Sequence, residues 1–69
     1  MREALLKVLG AMNMEMPNKV LIAWKLTEDD KIYQFLLWLR DNVPEDQVNG
    51  RQNEIVNKAL RIARGDEGE

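Results

Sequence analysis

Lys19-Val20-Leu21-Ile22-Ala23-Trp24-Lys25-Leu26 is the stretch on which the reading of this chain turns. At a period of two it separates into Val20, Ile22, Trp24 and Leu26 on one side and Lys19, Leu21, Ala23 and Lys25 on the other. One side is large and apolar throughout, and the other has a lysine at each end with Leu21 and Ala23 between them. Strict alternation over eight residues predicts a half-buried β-strand, because successive side chains of a strand point to opposite faces. The competing reading is a short helix of two turns. A single strand cannot satisfy its own backbone hydrogen bonds, and buried unpaired N–H and C=O groups are costly. The strand reading therefore calls for a mate from a second copy of the chain.

The segment after it starts a helix. Thr27 stands where a side chain can cap, and Glu28, Asp29 and Asp30 follow, where the positive end of the helix dipole favours acids. Ile32, Phe35, Leu36, Leu39 and Val43 then form one stripe, widened by Tyr33, Leu37 and Trp38. The spacing predicts a helix over 28–42, closed by Pro44. Its apolar circumference is wide enough to need cover on more than one side, which again points to a second copy.

On the other side of the deciding stretch, Leu5, Val8, Leu9 and Met12 follow i, i+3, i+4, i+7 and predict an amphipathic helix over 2–12. Residues 13–18 read as a breaker around Pro17, with Met12, Met14 and Met16 padding the edge of a core. Toward the C-terminus, 45–50 is a polar connection with Asn49-Gly50 turn chemistry. Ile55, Val56, Ala59, Leu60, Ile62 and Ala63 mark a last helix over 51–64, and Gly65 stands in the stop position. The acidic residues 66–69 read as a disordered tail. The expected organisation is 1–16, an N-terminal helix and breaker; 17–65, a strand-helix-helix domain; and 66–69, the tail.

Composition narrows the function classes. The chain has 69 residues, no cysteine and no histidine. Disulfides, thiolate metal sites, the commonest general base and the commonest metal ligand are thereby all missing. There is no serine, and Thr27 and Tyr33 are the hydroxyl-bearing residues. The four glycines are scattered, so no phosphate-binding loop can be traced. The three acids at 28–30 are explained by a helix start and lack calcium-loop spacing. No enzyme, no cofactor and no metal site is expected. No segment reaches the roughly 20 apolar residues of a membrane span, and a cytoplasmic location is expected.

The order strand, helix, turn, helix over 18–65 resembles the ribbon-helix-helix family, small DNA-binding dimers of the Arc/MetJ class. The alternating strand running into Thr27-Glu28-Asp29-Asp30, the apolar helix behind it, and Asn49-Gly50-Arg51-Gln52-Asn53-Glu54-Ile55-Val56-Asn57-Lys58-Ala59-Leu60 carry the likeness. The resemblance implies a mainly α chain with one short strand, intertwined as a homodimer; a small all-α bundle is the alternative. It also implies a two-stranded ribbon in the major groove of double-stranded DNA. Lys19, Leu21, Ala23 and Lys25 would face the bases, and Arg51, Gln52 and Asn53 would face phosphate. The chain departs from the family in an apolar ribbon face, a long connection over 42–51 and a net charge of −2. The second functional reading is a small helical interaction module that holds a partner protein through its first or middle helix.

Overall fold

In the computed structural model, which describes residues 1–65, the deciding stretch is helical. Four α-helices are present among the described residues: α1 (Arg2–Ala11), α2 (Met16–Lys25), α3 (Asp29–Asn42) and α4 (Gln52–Arg64). Two short 3₁₀ turns, Glu45–Gln47 and Asn49–Arg51, join α3 to α4. No strand occurs among the described residues, so the strand-helix-helix architecture is corrected to the small all-helical bundle. The expected tail, 66–69, lies outside the described residues.

Two sequence features and one property of the backbone explain why α2 forms. Pro17 falls within the first turn, where its missing N–H is no loss and its fixed φ suits the helix. The break expected over 13–18 therefore ends sooner, and Pro17 belongs to the start of α2. Ile22 and Leu26 are four apart and both completely buried, which gives α2 a core-facing line. A helix also satisfies its interior backbone groups within itself, so the problem of a lone strand does not arise.

The other three helices follow their 3.6-residue patterns. Val43, after α3, is an extended C-cap, and Pro44 follows. Gly65, at φ 89°, ends α4 in the left-handed conformation that glycine adopts without a Cβ penalty. Thr27 does not cap α3; the N-cap is Glu28, without a side-chain bond, and the first turn holds Asp29 and Asp30.

The helices form a ring. α1 and α4 each pack against both α2 and α3, which lie diagonal to each other. Leu5 and Leu9 of α1 and its C-cap Met12 join Ile32, Phe35 and Leu39 of α3, and Ile55, Ala59 and Ile62 of α4, in one core. The wide apolar face of α3 is therefore covered by α1 and α4. Leu36 and Trp38 pack against the core while partly exposed, and Tyr33 stays exposed. The radius of gyration, 10.7 Å, matches the roughly 11 Å expected of a folded chain this long.

Candidate interaction face

The helix that replaces the strand has two unlike sides. Ile22 and Leu26 are fully buried, whereas Met16, Val20 and Trp24 are 66%, 60% and 67% exposed. These three recur at i, i+4, i+8, and Pro17 and Leu21 line the same shallow surface beside them. Val20 and Trp24 were expected to share the buried face with Ile22, and Met16 to pad the core. A rotation of 100° per residue in place of 180° sends them outward. Met12 and Met14 do pack in the core.

Both ends of α2 are held by side chains from distant parts of the chain. At its start, the Gln52 Oε1 accepts from the Glu15 backbone N–H at 3.2 Å and from Asn18 Nδ2 at 3.1 Å. Gln52 is itself oriented by donating from Nε2 to Asn49 Oδ1 at 2.8 Å. At the other end, Arg2 Nη1 donates to the carbonyl oxygens of Ala23 (2.6 Å) and Leu26 (2.9 Å). These are carbonyls left without partners where a helix stops, at the negative end of its dipole. The exposed stripe is thus carried on an anchored helix. Lys25 Nζ lies 4.5 Å from the centroid of the Trp24 ring, a cation–π contact on that surface.

The residues expected to touch DNA are dispersed. Leu21 lines the apolar surface; Lys19 and Ala23 are half-buried and Lys25 is exposed, on different sides of α2. Arg51, Gln52 and Asn53 do come together, with Glu15, Asn18 and Glu54, around a polar notch at the start of α4. Gln52 is engaged with α2 there. Arg51 donates from Nη1 to the Asn42 carbonyl at 3.0 Å, closing the end of α3, and lies 3.8 Å from Glu54. Among the described residues there is no ribbon to present Lys19, Leu21, Ala23 and Lys25 to a groove.

A second concavity of about 310 Å³ opens between α1, α3 and the turn after it. Val8, Met12, Leu36, Val43 and Val48 line it, with Arg40 and Glu45 contributing the charged groups. Among the described residues, no polar or charged side chain is buried, no buried side-chain N or O lacks a hydrogen-bond partner, and no cluster of acids could hold a metal ion. No helix among them is long and apolar enough to cross a membrane. No family model matches the chain, and neither a curated protein nor a solved structure gives a match.

The signal for the exposed stripe was present in the sequence. Extending the window back to Met16 gives Met16, Val20 and Trp24 at helical spacing, with Pro17 one residue after a helix start.

Proposed function

We propose that this chain is a small helical protein-interaction module that works by binding a partner through the solvent face of α2, without catalysis and without DNA. One observation carries the reading: Met16, Val20 and Trp24 stand well out of the surface, in line, on a helix fastened at both ends. A contiguous apolar patch on a small protein marks an interaction surface, and tryptophan is among the residues that contribute most at interface centres. An anchored helix loses little freedom on binding, which favours affinity. The N-terminal helix, considered above as a docking element, is turned into the core through Leu5 and Leu9, so the docking role moves to α2.

A symmetric homodimer was expected because a strand lacked a mate and α3 lacked cover. Neither need arises in this fold, and the partner proposed here is a different chain. A cytoplasmic location belongs to the same proposal, since small secreted domains are usually dense in disulfides and this chain has no cysteine.

The test compares the wild type with Val20→Glu as bait for proteins of the source cell, followed by rebinding of each captured protein in purified form. Val20 is exposed, so its replacement leaves the core intact. Loss of a purified partner's binding in Val20→Glu supports the proposal. An unchanged set of partners with unchanged affinities sinks it.

A further inference from the structure

We infer, building on the α2 face just described, that its partner is an acidic amphipathic helix: apolar side chains every three to four residues, flanked by Asp and Glu. The charge on α2 is of one sign. From Met16 to Lys25 it carries Lys19 and Lys25 and no acid. Lys25 already leans over the Trp24 ring, which keeps its ammonium at the edge of the apolar surface. The three aligned side chains span about 12 Å at 1.5 Å per residue, or two turns. That length suits one short helix laid alongside with anchors at i, i+3 or i+4, and i+7. Carboxylates on one flank of those anchors would meet Lys25, and on the other flank the half-buried Lys19.

The same features disfavour the other occupants. A second copy would bring two more lysines and no acid on its own α2, so like charge would face like. A standard interface between globular partners also takes about 20–30 residues a side, far more than five apolar residues and two lysines supply. An anionic bilayer is a plane far wider than the stripe, and Glu28, Asp29 and Asp30, all exposed and following α2 in the chain, lower its attraction for this end of the molecule. A helix of two turns ends before it reaches them.

The probes are three synthetic eight-residue peptides, held helical by a side-chain staple on the outward side, with the same leucine spacing at i, i+4 and i+7, flanked by Glu, Gln or Lys. The readout is Trp24 emission in a Trp38→Phe background, since Trp24 and Trp38 are the only tryptophans. The Glu peptide should shift the emission to the blue and saturate. Exposed ion pairs contribute about two- to fivefold each, so it should bind about tenfold tighter than the Gln peptide. Lys19→Glu combined with Lys25→Glu should reverse the order in favour of the Lys peptide, and Val20→Glu should abolish binding of all three.

Equal affinity for the three peptides would overturn the acidic partner while leaving α2 as a docking face. So would concentration-dependent dimerisation that Val20→Glu abolishes, with no peptide bound, which would assign the face to a second copy. A blue shift with phosphatidylserine–phosphatidylcholine vesicles and with no peptide would assign it to a membrane surface. No response to any probe, together with partner binding that survives Val20→Glu, would remove the docking face itself.

Discussion

Replacing Ile22 and Val20 separately by alanine distinguishes a helix from a strand at the stretch that decides the fold. A strand puts both on one face, so both truncations should hurt. In α2, Ile22 is 0% exposed and Val20 60% exposed. Ile22→Ala removes three buried carbons, about 2.4 kcal/mol at roughly 0.8 per CH₂. The cavity left behind adds about 1 kcal/mol, for a total of about 3–4. Val20→Ala removes two carbons that are about two-fifths covered, or roughly 0.6 kcal/mol. Alanine's better helix propensity returns about 0.5 kcal/mol, so the net change is near zero. A chain of this length is stable by only about 3–10 kcal/mol, which makes the first loss a large fraction of the total. Urea denaturation followed by circular dichroism would give both values, with a constant slope confirming that the unfolding transition is unchanged in kind. Similar, large losses at the two positions would refute the helix and restore the alternating strand.

Gly65→Ala should cost about 1 kcal/mol, because Gly65 is held at φ 89°, a conformation that penalises a Cβ. Gly10→Ala should stabilise the chain by about 0.5–1 kcal/mol, since a Cβ there meets nothing within 4 Å; thermal melts read both. Gln52→Ala removes the acceptor shared by Glu15 and Asn18, so amide exchange should quicken at the start of α2 and stay unchanged in α3. Arg2→Ala frees the carbonyls of Ala23 and Leu26 and should cost about 1 kcal/mol, with faster exchange confined to the other end of α2.

Much of this fold can be read from spacing. The stripe Leu5, Leu9, Met12, the stripe Ile32, Phe35, Leu39, and Ile55, Ala59, Ile62 all repeat at three to four and all lie in the core. The misreading of α2 has a physical cause. Its apolar residues occupy most of its circumference, some for the core and some for the outside, so an eight-residue window satisfies periods of two and of 3.6 alike. The expected homodimer rests on that strand: a lone strand needs a mate from a second copy, and the second copy would also cover α3. The actual cover is α1, for which a ribbon-helix-helix arrangement has no use, together with α4. Within the candidate face, Trp24 was legible as important but its direction was not. Direction depends on which helix line meets the ring of neighbours, and that is a tertiary fact.

The basic residues make the same point about function. Counted along the chain, four of them in 51–64 against one acid read as a local positive patch. In the fold, three long cationic side chains reach the carbonyl ends of helices other than their own: Arg2 to the end of α2, Arg51 to the end of α3, and Lys31 to Ala63 of α4 at 2.9 Å. Each satisfies an orphan acceptor and complements the negative end of a dipole. Two of them also tie neighbours in the ring together, α1 to α2 and α3 to α4. A phosphate would have to compete with these bonds. Lys58 likewise lies 5.8 Å from the centroid of the Trp38 ring. A sum of charges cannot separate a cap from a binding patch, because both need the same sign. Which carbonyl a cation reaches decides between them, and Arg2, Arg51 and Lys31 each reach one.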